Sequence, residues 1–275
     1  MNTARNLKLI FDHPLNRGAP IATAARVIGW QVRSRLSKVT SAPFANGARL
    51  LVSRRMYGAT GNVYCGLHEF EEMAFLLHFL RPGDVFADVG ANIGSYSMLA
   101  GSVGAHAVAF EPGERFEDLE RNAGHNGYDT DCRRQAVGDR NGVIAFTVGL
   151  DAMNHVAEPG GSGARAEVPI TRLDDALDQA VLIKVDTEGF EAAVVAGGQR
   201  VFAGASAAIM ELDAGADAEP MRTLTAMGYR PANYDPFTRQ LLPFHKTGNN
   251  SLLIRGDIEP RLKSAPAFTL RGRSI

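Results

Sequence analysis

A chain of 275 residues, 45% hydrophobic and 21% charged, has enough apolar material for one large α/β domain with an extension or for two small domains, and its composition excludes a disordered or fibrous chain. The formal net charge of −1 hides an uneven distribution: residues 1–60 carry ten Lys or Arg against Asp12 alone, about +9, so the remainder carries about −10. Two cysteines, Cys65 and Cys132, exclude a disulfide framework and fit no zinc spacing, so buried reduced thiols are expected. No leader-like run follows Met1 and no apolar stretch reaches the roughly 18 residues that span a bilayer, which together lead us to expect a cytoplasmic location.

The first helical pattern covers residues 21–39, with Val27, Ile28, Trp30, Val32 and Leu36 apolar and Arg26, Arg33, Arg35 and Lys38 basic. An amphipathic helix over 69–80 leads through Arg81-Pro82-Gly83-Asp84 into a buried strand at 85–89. Strands and helices then alternate as in βαβ units: helix 96–102, strand 107–110, helix 115–126 and a third strand at 134–137. The turn Asp139-Arg140-Asn141-Gly142 predicts a hairpin arm over 143–148, and residues 151–165 read as a flexible glycine-rich loop. Extended structure resumes at 168–173, followed by a short helix at 174–179, a buried strand at 181–185 and one helix over 190–202. Strand 207–212, helix 220–227 and strand 251–254 close the pattern, and the last twenty residues read as a loose tail. The division expected is therefore a basic, partly helical extension at 1–60, a domain at 61–256 and a tail at 257–275.

The stretch Val85-Phe86-Ala87-Asp88-Val89-Gly90-Ala91-Asn92-Ile93-Gly94 opens a nucleotide-binding unit, but its spacing is Gly90-x-x-x-Gly94 rather than G-x-G-x-x-G. Asp88 stands two residues before the first glycine, where a carboxylate would repel a phosphate and attract a cation. S-adenosylmethionine carries an α-ammonium and a sulfonium and no phosphate, so Asp88, Gly90, Asn92 and Gly94 are the expected cofactor residues, with Asp88 acting directly or through water. Glu111 lies 21 residues after Gly90 at the end of the second strand, from which an acid can accept both hydroxyls of a ribose. NAD would satisfy Glu111 equally well, so an NAD-linked oxidoreductase stands as the alternative; no Y-x-x-x-K pair is present to serve it.

A second constellation is Val181-Leu182-Ile183-Lys184-Val185-Asp186-Thr187-Glu188-Gly189-Phe190-Glu191, a strand ending in carboxylates. Glu211 ends the next strand. Ligands of open α/β sheets bind outside the carboxyl ends of strands, and ionised groups are costly to bury unpaired. Asp186, Glu188 and Glu211 are therefore the expected catalytic side, able to polarise a hydroxyl, hold a divalent metal or bind the cofactor's amino group. Glu188 and Glu191 could instead cap the following helix. Lys184 reads as the partner of a nearby acid or as a reach to the sheet edge.

In this order, D-V-G-A-N-I-G, A-F-E-P, L-D-D, I-K-V-D-T-E-G-F-E and M-E-L resemble the FkbM family of S-adenosylmethionine-dependent methyltransferases, over about residues 62–255. The resemblance implies a Rossmann-like class I methyltransferase fold, with a seven-stranded, mostly parallel sheet containing one antiparallel strand and with helices on both faces. It implies transfer to a hydroxyl oxygen, on acceptors that include polyketides and the sugars of glycolipids and polysaccharides. By the same likeness Asp88, Gly90, Asn92, Gly94 and Glu111 match cofactor positions, and Asp186 the acid beside the transferred methyl, with Glu188 next to it. Asp186 and Glu211 also resemble part of the magnesium site of the catechol O-methyltransferase group, which leaves metal dependence open.

Further candidates each carry a plainer alternative. Asn154 and His155 lie in the glycine-rich loop, where His155 would serve as a base if the loop folds over the site and is otherwise a solvated loop histidine. Asn62, Tyr64 and His68 could close over the cofactor. Asp139 could accept from the adenine amino group or form a turn. Asn249 and Asn250 could line the acceptor pocket or make a turn. The basic arm could lie on an anionic membrane surface as a peripheral contact, or pack on the acidic body; without stacking aromatics it does not read as a nucleic-acid arm. A binding module that has lost turnover is the remaining alternative, and intact acids at every motif position speak against it.

Overall fold

The computed structural model describes residues 3–54, 56–147, 149, 156, 164–212, 219–246, 248 and 250–275. Helices α1 (Thr3–Asp12) and α2 (Pro20–Leu36) come first, then a hairpin of β1 (Thr40–Pro43) and β2 (Arg49–Val52), then α3 (Tyr57–Cys65) and α4 (Phe70–Phe79). The alternating part begins with β3 (Val85–Val89), α5 (Ser95–Ser102), β4 (His106–Phe110), α6 (Phe116–Asn126) and β5 (Thr130–Arg133). It continues through β6 (Ala136–Gly138), β7 (Gly142–Thr147), β8 (Arg165–Arg172), α7 (Leu173–Ala176) and β9 (Leu182–Val185). Helices α8 (Glu191–Gly197) and α9 (Gln199–Gly204), β10 (Ala207–Glu211), α10 (Glu219–Ala226), β11 (Arg230–Asp235), β12 (Gln240–Leu242) and β13 (Asn250–Ile254) follow. The chain ends in α11 (Glu259–Lys263), β14 (Thr269–Leu270) and β15 (Arg273–Ser274).

Alternation of side chains along the central strands explains why those strands read as unbroken apolar runs. Phe86, Leu182, Ala207 and Ile209 enter a core covered by α4 and α5, whereas Ala87, Ile183, Ala208 and Met210 enter a second core with Val194, Phe202 and Leu224. A sheet buried on both faces needs apolar residues at both parities. Each fully buried Leu or Phe stabilises by ~1.5–3 kcal/mol over leaving it exposed, so a one-residue slip would misplace a whole face.

The main sheet has eight strands in the order β12-β11-β13-β10-β9-β3-β4-β5. This confirms the Rossmann-like α/β class and corrects the strand number. β5, β4, β3, β9 and β10 are parallel, β13 runs antiparallel to both β10 and β11, and β12 adds an antiparallel edge strand beyond β11. The third parallel strand is β5, one segment earlier than residues 134–137. β6 belongs instead to a three-stranded sheet, order β6-β8-β7, in which β7 and β8 form the expected hairpin arm.

Three further expectations change. The helix over 190–202 is interrupted at Gly198, where a Cβ would press on Leu173 Cδ2 at 3.0 Å. α4 is buried on all sides, with Phe70 and Met73 through Phe79 inside. The last residues pack firmly: Phe268, Leu270 and Ile275 are in the core, and the Arg271 guanidinium donates to the carbonyls of Val63 and Tyr64, both at 2.9 Å. Their polar neighbours obscured three well-spaced apolar anchors. The basic extension packs too, through a cluster that joins Trp30, Leu50, Val52 and Met56 to Ile93 and Met98 beside the glycine turn. Among the described residues no helix is long and apolar enough to cross a membrane. Burial pushes the Cys65 and Cys132 thiols up to about 11, which keeps both protonated at neutral pH.

Candidate active site

β4 flanks β3 on one side and β9 on the other, and a cavity of about 220 Å³ opens at this reversal of strand order, at the carboxyl ends of the three strands. The glycine turn forms part of its wall. Gly90 has φ 78°, and a Cβ there would lie 1.8 Å from the carbonyl oxygen of Asp186. The glycine is thus required by two strand ends pressing together, before any ligand is considered. Gly94, at φ 86°, similarly yields to Leu119 Cδ1, which a Cβ would meet at 2.6 Å. Asn92 is left-handed at φ 52°; its side-chain oxygen accepts from the Ile93 amide at 2.9 Å, the local bond that lets asparagine hold this conformation.

Glu111 binds the turn from the next strand. One of its oxygens accepts from the Asn92 amide at 2.9 Å and the other from the Gly113 amide at 2.7 Å. Burial raises its pKa, against the two amides and Lys184. Each carboxylate oxygen carries two lone pairs, so one on each stays available to a vicinal diol. Glu111, Asn92 and Gly90 all line the cavity.

Asp88 does not line it, so of the two expected modes, direct contact or action through water, the direct one is not what this geometry offers. Asp88 and Lys184 are register partners on adjacent strands and share the parity of Phe86 and Leu182, so both turn toward α4 and α5. One Asp88 oxygen accepts from Ser97 Oγ at 2.6 Å; the other lies buried with no hydrogen-bond partner among the described residues. Lys184 donates from Nζ to Asp186 Oδ2 at 2.9 Å and lies 5.1 Å from the centre of the Tyr96 ring. Burial raises the Asp88 pKa while Lys184 opposes it. Burial would lower the Lys184 pKa, but Asp186 and Asp88 outweigh it and the net shift is upward. One buried ammonium between two carboxylates is the arrangement.

Asp186, Glu188 and Glu211 do come together, each bringing an oxygen within 4.8 Å of the others. Burial would raise the Asp186 pKa, but Lys184 and a hydrogen bond with Glu211 hold it below the ordinary carboxylate value. Asp186 and Glu188 line the cavity, and Glu188 is exposed at φ 54°; Glu211 stands behind Asp186. The three oxygens could receive a cation, although Lys184 already supplies a positive charge there. Glu191 does not cap α8 but folds back on the loop before it: its Oε1 accepts from the Thr187 and Gly189 amides, both at 3.1 Å, and from Thr187 Oγ at 3.0 Å.

Asp139 is not at the cavity. It follows β6, which left the main sheet, and it pairs with Arg140 at 3.1 Å on the surface; Gln135 and Ala136 line the wall instead. His155, with Asn154, lies outside the described residues, as does Asn249. Asn62 and His68 line the cavity, whereas the Tyr64 hydroxyl meets Gln31 of α2 at 2.5 Å. Sequence reasoning missed Glu69, which lines the cavity just before α4 and accepts from Asn250 Nδ2 at 2.6 Å. Read as the first residue of an amphipathic helix over 69–80, it counted as part of a solvated face, which masked it.

Among the described residues four carboxylates line the cavity, Glu69, Glu111, Asp186 and Glu188, while Lys184 and Arg115, the described lysine and arginine there, are each paired with an aspartate. Such a donor set fits a cationic ligand with a ribose and disfavours a pyrophosphate. A model of the methyltransferase FkbM domain matches residues 88–231. No curated protein matches the chain. Among solved structures, a Geobacter metallireducens precorrin-6y C5,15-methyltransferase is 14% identical, covering 68% of this chain and 88% of its own at a TM-score of 0.39. A Pyrococcus abyssi tRNA (uracil-54, C5)-methyltransferase in complex with S-adenosyl-L-homocysteine is 13% identical, covering 79% and 44% at a TM-score of 0.43. A TehB-like methyltransferase from Corynebacterium glutamicum is 12% identical, covering 73% and 95% at a TM-score of 0.40. The domain match covers more than half of the chain and sets aside the NAD-linked reading: this chain belongs to the FkbM family of S-adenosylmethionine-dependent methyltransferases.

Proposed function

We propose that the chain methylates a hydroxyl oxygen of a sugar, glycolipid, polysaccharide or polyketide-type product. The acid-rich lining of the cavity carries this reading. S-adenosylmethionine supplies the electrophilic methyl group. Glu111 accepts from the ribose hydroxyls through its two remaining lone-pair positions, and the glycine turn held by Asn92 shapes the wall beside it. Glu69 and Asp186 lie along the same cavity and favour positive charge there. On the acceptor side Asp186 orients the hydroxyl and takes its proton, with exposed Glu188 beside it and Glu211 bracing it from behind. Held at a low pKa by Lys184, Asp186 is a weak base. Most of the rate must then come from in-line positioning, with proton transfer late in the step.

Calorimetric titration with S-adenosylmethionine, S-adenosylhomocysteine and NAD, with and without magnesium, tests the cofactor half. Micromolar binding of the first two and none of NAD is expected. Methyl transfer from labelled S-adenosylmethionine to a panel of hydroxylated and amine-bearing acceptors tests the other half. Label found on nitrogen alone would sink the O-methyl assignment.

A further inference from the structure

α2 buries one side and leaves an apolar row on the other. Thr23, Trp30 and Ser34 are buried against the body, and Arg26 turns in to donate to the Tyr64 carbonyl at 3.1 Å. At about 100° per residue, Ile21, Ala25, Ile28, Val32 and Leu36 fall within roughly 80° of arc on the opposite side. The four large ones are left in solvent, at 86%, 63%, 52% and 80% exposure. Exposed Arg35 and Arg33 border this stripe on its two flanks, and Lys38 follows just beyond the helix end. A packing helix has no use for four exposed branched aliphatics in one row.

We infer that this face of α2 docks on an anionic lipid surface. The stripe is narrow and shallow, suited to lying at the boundary between headgroups and acyl chains, while the flanking arginines reach lipid phosphates. Charge selects the occupant. Residues 1–60 carry about +9 and the remainder about −10, so a negative surface attracts the α2 side and repels the body, fixing one orientation. Two copies meeting stripe to stripe would instead bring Arg33, Arg35 and Lys38 of each against those of the other. α2 packs on α3, and α3 contributes Gly58, Ala59 and Asn62 to the cavity wall, so the docked helix backs directly on the site. The inference does not depend on which acceptor is methylated.

The test is co-sedimentation of the full chain with vesicles of phosphatidylcholine alone and of phosphatidylcholine with phosphatidylserine. Two variants accompany it: Ile28→Gln/Val32→Gln/Leu36→Gln removes the apolar stripe without adding charge, and Arg33→Glu/Arg35→Glu reverses its flanks. Wild type should bind the anionic vesicles, more weakly as salt rises. The triple variant should lose at least about tenfold in partitioning and the double variant roughly 30-fold or more, taking about fivefold for each basic residue. The triple variant should keep the wild-type melting temperature, because its side chains are exposed, and all three proteins should keep the same cofactor affinity, because none of the substituted residues lines the cavity. The double variant should melt slightly lower, since it gives up the Arg35 bonds to Gln31 and places acids in the last turn of α2. Absence of wild-type binding to anionic vesicles, or equal binding by the triple variant, would overturn the inference. So would a concentration-dependent dimer that the triple variant abolishes without any vesicle binding by wild type.

Discussion

Gly90 and Asp186 meet so closely that a Cβ on the glycine would lie 1.8 Å from the aspartate's carbonyl oxygen. The glycine turn after β3 and the loop that carries Asp186 are therefore one packed unit. Gly90→Ala should cost roughly 3 kcal/mol or more, from a strained φ and a backbone clash together. Gly83→Ala is the control: its φ is 83°, but a Cβ there meets nothing within 4 Å, so about 1 kcal/mol is expected. Urea unfolding of the two variants measures the difference, and equal losses would refute the clash.

Lys184 answers to two carboxylates, so its removal strands both. Lys184→Met should destabilise by about 3–5 kcal/mol at neutral pH, the usual cost of breaking a buried pair from one side. In an Asp88→Asn background the same substitution should cost at least about 1 kcal/mol less, because fully buried Asp88 no longer needs its counter-charge. Additive losses in this double-mutant cycle would show that Asp88 and Lys184 do not interact.

Cofactor affinity should depend on Glu111 and hardly on Asp88. Glu111→Gln keeps the volume but turns one acceptor into a donor, and a loss of roughly tenfold or more in S-adenosylmethionine affinity is expected. Asp88→Asn should stay within about threefold, since its side chain lies outside the cavity behind Ser97 and Lys184. Calorimetry that ranks the two variants the other way would return Asp88 to the ligand.

Glu72 gives a pH signature. Burial, with Glu69 and Glu71 nearby, raises its pKa from 4.5 to about 7. A carboxyl with a raised folded pKa favours folding while protonated, and that advantage fades as pH rises from about 4.5 through about 7. Glu72→Gln should therefore leave stability nearly unchanged at acid pH and increase it by on the order of 2 kcal/mol above neutrality, after allowance for solvent screening. Melting curves on both sides of the transition check the sign.

The alternation of strands and helices, the glycine turn, Glu111 and the acids after β9 were all legible in the sequence, because each leaves a local pattern. Asp88 shows where such reading stops. Its type and spacing suited a cation, yet strand parity turned it toward α5, and parity becomes decisive only once the register with Lys184 is known. Asp139 failed through a one-segment error in the third strand. Glu69 and Asn250 lie 181 residues apart and meet only through the order of strands, which no local window contains. Helix α2 was located correctly, but which side it would bury depended on Trp30 finding the pocket among β2, α3 and α5.

That shared pocket ties the extension to the site in a way the charge boundary at residue 60 conceals. Ile93 and Met98 belong to the glycine turn and its helix, yet they pack with Trp30, Leu50 and Met56. A cut at the boundary would leave the wall of the cofactor site with an oily outer surface, so residues 61–275 are not a minimal enzyme. Amide exchange in α5 becomes a gauge of how tightly the first sixty residues are seated.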